Sequence, residues 1–252
     1  MAMLSDAARR RTPSRRKGAA PALETSGDGV SLTLMGVRVT ALPEGALWLE
    51  ESKTLIVSDL HLEKGTAYAR GGHRLPPYDT RTTLQRVGAL LDELAPTTLI
   101  SLGDSFHDGG GAARLDAEDR LTLSSFIART DWIWVEGNHD PAPPADLGGR
   151  AMATIDIGGL TFRHEPVVGA AGEITGHLHP CARVASRNGS VRRRCFATDG
   201  ERLVMPAFGA YAGGLNVCDE AFADLFPRGC YALMLGKTRV YPAGPGRLVG
   251  DS

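Results

Sequence analysis

Five short motifs in this chain set carboxylates, amides and imidazoles at spacings that suit metal binding. The first is Asp59-Leu60-His61, at the end of an apolar run, residues 54–57. In an extended segment, residues two apart project to the same side, so Asp59 and His61 are expected to leave a strand together. A hard carboxylate oxygen beside an imidazole nitrogen is a metal-ligand pair. One such motif carries little weight alone. Four more follow it: Gly103-Asp104, Gly137-Asn138-His139-Asp140, His164-Glu165-Pro166 and Gly176-His177-Leu178-His179-Pro180, so that five of the seven histidines fall in these clusters. Buried without a cation, this many titratable groups would leave several unpaired, each at a free-energy cost.

The elements between the motifs show what must position them. Residues 54–58, 97–102 and 131–135 are short apolar runs, read as buried strands, and each runs into one of the polar motifs. Between them, residues 80–96 carry Leu84, Val87, Leu90, Leu91 and Leu94 at helical spacing, with Asp79 as the expected cap and Pro96 as the stop. A second helix is expected from Asp116 or Ala117 to Arg129, with Leu121, Phe126 and Ile127 inward. Residues 63–78 and 109–111, rich in Gly, Arg and Pro, read as loops. The alternation strand, helix, strand, helix, strand indicates a layered α/β domain with parallel strands, whose carboxyl ends carry the site. The second half reads as a further sheet, with an Asn188-Gly189 hairpin turn.

Length and composition fit this reading. The 252 residues are 42% hydrophobic, enough for a substantial core in one domain, expected over residues 29–252. No apolar run approaches the ~20 residues of a membrane span. Four scattered cysteines, without C-x-x-C spacing, suit a reducing cytoplasm. The formal charge of −1 hides an asymmetry: residues 1–17 hold six basic residues against one acidic, and the remainder holds 22 against 28. Residues 1–28 are therefore expected to form a flexible basic arm, either a solvated leader or a nucleic-acid contact.

In this order, the five motifs resemble the calcineurin-like metallophosphoesterase superfamily across about residues 54–180. The runs HEP (164–166), GHLHP (176–180) and LVMPAFGAYAGG (203–214) further resemble a bacterial group of ligase-associated DNA-damage-response endonucleases, encoded beside a DNA ligase and a helicase. The resemblance implies a four-layer αββα sandwich of two mixed sheets. It also implies two divalent ions, Mn²⁺ foremost, with Fe or Zn²⁺ as alternatives. Asp59, His61 and His179 would complete one ion and Asn138, His164 and His177 the other, with Asp104 bridging. Such a pair, ~3.5–4 Å apart, supplies hydroxide at neutral pH and neutralises phosphate oxygens. His139 would act on the leaving group, its ring oriented by Asp140 or by the backbone near Asp104. Asp104, His139 and Asp140 are thus the expected catalytic residues.

Substrate contacts are less sharply marked. His107 could reach a phosphate or cap a turn. His73, Arg70 and Arg74 lie in the loop after the first motif. Arg183, Arg187, Arg192, Arg193 and Arg194 crowd one hairpin, either as a phosphate-backbone surface or as a solvated sheet edge. The implied activity is hydrolysis of phosphodiesters, DNA first, in repair. The alternatives are a small-nucleotide phosphoesterase and a non-catalytic scaffold for a repair partner.

Overall fold

The computed structural model of the chain describes residues 20–73, 75, 76, 78–142, 144, 146–186 and 189–251. Residues 1–19 of the expected basic arm, together with Arg74 and Arg187, lie outside them.

The first sheet has eight strands in chain order. β1 (Glu24–Ser26), β2 (Gly29–Leu34), β3 (Val37–Ala41), β4 (Leu47–Leu49) and β5 (Thr54–Val57) pair antiparallel. Two helix-bearing connections then make the pairing parallel. α1 (Lys64–Arg70) and α2 (Asp79–Leu94) lead to β6 (Thr98–Leu102); α3 (Gly111–Arg114) and α4 (Ala117–Arg129) lead to β7 (Asp131–Val135), and β8 (Arg150–Met152) ends the sheet.

The second sheet contains β9 (Ile155–Ile157), β10 (Leu160–Phe162), β11 (Glu173–Thr175), β12 (Cys181–Ser186), β13 (Gly189–Thr198), β14 (Leu203–Val204), β15 (Tyr231–Leu235), β16 (Val240–Ala243) and β17 (Leu248–Val249). Its path runs β16-β15-β13-β14-β11-β10-β9, with β12 paired to β13 and β17 paired to the far edge of β12. Both sheets are mixed, as expected, since β11 lies parallel to β10 and β14 while the other pairs run antiparallel.

Burial explains why β5, β6 and β7 read as unbroken apolar runs. Ile56, Ile100, Leu102, Ile133 and Val135 face Phe162, Ile174, Phe196 and Leu233 of the other sheet. Their neighbours Leu55, Val57, Leu99, Trp132 and Trp134 face Leu84, Val87, Leu91, Leu123 and Phe126 of α2 and α4. Strands covered on both faces have no polar side to show. The outer face of the second sheet is closed by Val217, Phe222, Leu225 and Phe226, which come from a segment with a single 3₁₀ turn, Glu220–Phe222.

Several sequence expectations shift. The stretch expected as a loop at 63–78 contains α1, held by a hydroxyl–carboxylate network: Thr66 and Thr80 donate to Glu63 at 2.7 and 2.9 Å. Asp79 is the first residue of α2 rather than its cap, and it accepts the Gly65 N–H at 2.9 Å. In α4, Leu121 is 72% exposed while Leu123 is buried, because the inward face is set by contact with α2 rather than by apolar content. The first sheet starts at Glu24, and β8 and β17, two short strands, were not anticipated. Cys181, Cys195, Cys218 and Cys230 are free thiols. Among the described residues, no helix is long and apolar enough to cross a membrane.

Candidate metal centre

Each parallel strand stops just short of its polar motif. β5 ends at Val57 and β6 at Leu102, and the loops beyond them pair with each other. Asp59 N–H donates to Gly103 O at 3.2 Å, His61 N–H to Asp104 O at 2.9 Å and Leu62 N–H to Ser105 O at 2.9 Å. Asp59 and His61 therefore do not alternate along a strand. Their φ angles are +53° and +43°, and Asp104, His177 and His179 are likewise left-handed at +45°, +68° and +47°. The pair does converge, but through kinks rather than through strand alternation.

The donors gather around Asp104. Its Oδ2 lies 3.3 Å from His164 Nε2 and 4.0 Å from both His61 Nε2 and His139 Nε2, while its Oδ1 accepts the His139 N–H at 2.9 Å. On one side, His179 Nε2 is 3.0 Å from Asp59 Oδ1 and 3.2 Å from His61 Nε2. On the other, Asn138 Oδ1 is 3.0 Å from His164 Nε2 and 2.9 Å from His177 Nδ1, and those two nitrogens are 3.3 Å apart.

This donor chemistry fits a divalent cation. Imidazole nitrogens facing each other and facing oxygens offer lone pairs to a common point, which only protons or a cation can satisfy. The His164 Nδ1–H donates to Leu102 O at 3.1 Å, which leaves Nε2 for the centre. Ser58 Oγ donates to Asp59 Oδ2 at 2.5 Å and so fixes that carboxylate's rotation.

Electrostatics point the same way. Asp59 and Asp104 are both buried. Burial pushes the Asp104 carboxyl up, but the His164 hydrogen bond and charge prevail and hold it at about 2. Burial pulls His164 down, yet Asp104 and Asp59 raise it to about 9. His61 falls to about 3, mainly through burial, and so stays neutral. A protonated His164 and a divalent ion are thus alternative ways of compensating the same carboxylates.

The calcineurin-like phosphoesterase family model matches residues 52–194, more than half of the chain. The chain belongs to that family. As a calcineurin-like phosphoesterase it is a metal-dependent hydrolase of phosphate esters, and the family is dimetal-dependent. Among solved structures, nuclease MPE of Pseudomonas putida is similar at 24% identity and a TM-score of 0.68, covering 85% of this chain and 100% of its own. The phosphoesterase YfcE of E. coli covers 76% of this chain and 98% of its own at 15% identity and a TM-score of 0.39. Comparison with curated protein sequences gives no match.

In this phosphoesterase the expected ligand residues Asp59, His61, Asp104, Asn138, His164, His177 and His179 all converge. His139 joins them, but its ring is not oriented by Asp140. Its Nδ1 lies 2.9 Å from the His107 carbonyl, a backbone group three residues beyond Asp104, in keeping with the backbone alternative. Asp140 turns inward instead and accepts the Phe106 N–H at 2.9 Å. Burial raises it to about 7 against that bond, and the nearby Asp104 charge adds to the rise.

The His107 ring also lines the centre. It stacks on His139 at 5.4 Å between centroids and lies 5.6 Å from both His61 and Tyr68. The hairpin arginines are more dispersed. Arg183 donates to Ser190 Oγ and Gly250 O, and Arg192 to Asp251 and Gly214 O. Arg194 turns inward, donating to Ala207 O at 2.6 Å.

Proposed function

We propose that this phosphoesterase is a phosphodiesterase acting on DNA as an endonuclease in cytoplasmic repair, with a two-ion centre that Mn²⁺ fills first. The observation that carries the reading is the division of donors about Asp104: Asp59, His61 and His179 on one side, Asn138, His164 and His177 on the other. That mixed oxygen and nitrogen set suits Mn²⁺, Fe or Zn²⁺ better than Mg²⁺, which favours oxygen and water. Divalent ions held there would supply a nucleophile from water at neutral pH and offset charge on the phosphate oxygens.

The chain's own residues do the rest. Asp59 and Asp104, both buried, stay ionised against their histidine and hydroxyl partners, and the neutral His61 ring presents a lone pair. His139, 41% exposed at the side chain and held through Nδ1, presents Nε2 to the space beside Asp104 Oδ2. With Nδ1–H donated to the His107 carbonyl, it is placed to give an Nε2 proton to the departing oxygen when the ring is in its imidazolium form. The resemblance of residues 164–166, 176–180 and 203–214 to ligase-associated endonucleases supports the repair setting and an association with ligase or helicase. The similar fold of a nuclease supports a nucleic-acid substrate.

The test is nicking of supercoiled plasmid with and without Mn²⁺, with His139→Ala alongside. Mn²⁺-dependent nicking should fall roughly 10²–10⁴-fold in the variant while its metal content stays at the wild-type level. Cleavage of an aryl phosphodiester with intact plasmid would replace the DNA reading with a small-nucleotide one. Failure on both substrates would favour the scaffold.

A further inference from the structure

Beside the metal centre lies a cavity of about 520 Å³ whose charged lining, among the described residues, is Arg192, Arg193, Arg194 and Lys237, with no Asp or Glu. Neighbouring residues on a strand point oppositely, yet all three β13 arginines reach this cavity. The Arg193 guanidinium folds back along its strand, donating to the Arg192 carbonyl at 2.9 Å. Arg192 is half-neutralised by Asp251 at 3.0 Å, and Arg194 is engaged by the Ala207 carbonyl. Arg193 and Lys237 are both exposed and line the same cavity.

The cavity and the metal centre share a wall. Residues Gly213 and Gly214 line the cavity, and a Cβ on Gly214 would stand 2.2 Å from the carbonyl oxygen of His179. Gly209 N–H, at the start of the same segment, donates to Asp59 O at 3.1 Å. The cation-lined cavity thus lies one backbone segment away from the His179 end of the centre.

We propose that this cavity is a remote phosphate subsite for nucleic acid. Arg193 and Lys237 hold a backbone phosphate outside the scissile position. The inference rests on the nuclease reading above and adds the polymer to it, since a small diester has no second phosphate to place there. Phosphate contacts of this kind position a strand without reading sequence, and each adds about 0.7–0.9 to the salt slope of binding.

The experiment compares wild type with the double variant R193A/K237A, both Mn²⁺-loaded, on plasmid DNA and on an aryl phosphodiester. The ratio of kcat/KM on DNA to that on the aryl ester should fall at least tenfold. The slope of log affinity for DNA against log salt should flatten by roughly 0.7–0.9, one phosphate contact's worth. A ratio within twofold of wild type with an unchanged slope overturns the subsite and leaves the nuclease reading standing. A wild-type enzyme that turns over the aryl ester but no DNA overturns both.

Discussion

Asp59, His61, Asp104, His177 and His179 each occupy the left-handed region of backbone space, which costs a non-glycine residue of order 1–3 kcal/mol. Such strain persists only where surrounding structure over-determines it, and here the flanking glycines make room. A Cβ on Gly176 would lie 2.0 Å from Ser58 Oγ and 2.4 Å from Asp59 Oδ2. Gly176→Ala is thus expected to displace the Asp59 carboxylate, cost about 1–3 kcal/mol of stability and empty much of the first ion position. Metal analysis and thermal melts check this; a variant with wild-type metal content and melting temperature would refute the crowding argument. At this scale the sequence was legible in residue type and blind to conformation. The motifs identify seven ligand candidates, but nothing in Asp59-Leu60-His61 distinguishes an extended segment from a kinked one. The sequence admits the backbone near Asp104 as a partner for the His139 ring but does not single out the His107 carbonyl.

At the scale of elements, the apolar pattern reveals α2 but not its most consequential polar residue. Arg86 leaves that helix to donate to Phe208 O at 2.7 Å and Glu44 O at 2.5 Å, with its guanidinium 4.1 Å from the Phe208 ring. Burial, reinforced by the charge of Arg194, lowers it to about 10, so it remains charged. Arg194 from the second sheet holds the adjacent Ala207 carbonyl. Phe208 N–H in turn donates to Ser58 O at 2.8 Å. Two arginines thus clamp the segment that follows β14 against the root of the first motif, a structural account of a run with no catalytic residue. The sequence could not show it, because Arg86 and Phe208 are 122 residues apart. Arg86→Lys should fail to rescue the clamp, since a point charge cannot span both carbonyls. About 2–3 kcal/mol of stability should be lost, with weakened metal retention, in both Arg86→Lys and Arg86→Met. Chemical denaturation measures it, and a fully stable lysine variant would reduce Arg86 to a plain surface charge. Similar reasoning explains α1 and α3, helices too short and too rich in Gly and Arg to show periodicity.

Across the whole molecule, the candidate centre straddles the interface between the sheets. Asp59, His61, Asp104 and Asn138 belong to the loops of the first sheet, and His164, His177 and His179 to those of the second. The strand alternation of the first half makes one sheet readable in the sequence; that the second supplies three of seven donors follows only from how the two pack. The sheets already touch through protein alone at this edge, where the His177 N–H lies 3.2 Å from Asp59 Oδ2. An ion with donors from both sheets would tie them further, and it can do so only in the folded state, because the unfolded chain separates donors such as His61 and His179 by 118 residues. Binding to the folded form alone stabilises by about 2.7 kcal/mol when the free ion is at 100 times its Kd. For a domain of this size that is a rise in Tm of roughly 5–10 °C on adding Mn²⁺, reversed by chelation. His177→Ala, which removes a donor on the second-sheet side, should retain less than half of the rise. If the ion binds stoichiometrically and the Tm does not move, the donors are not acting as a bridge between the sheets, and the division of ligands about Asp104 would have to be redrawn within one of them.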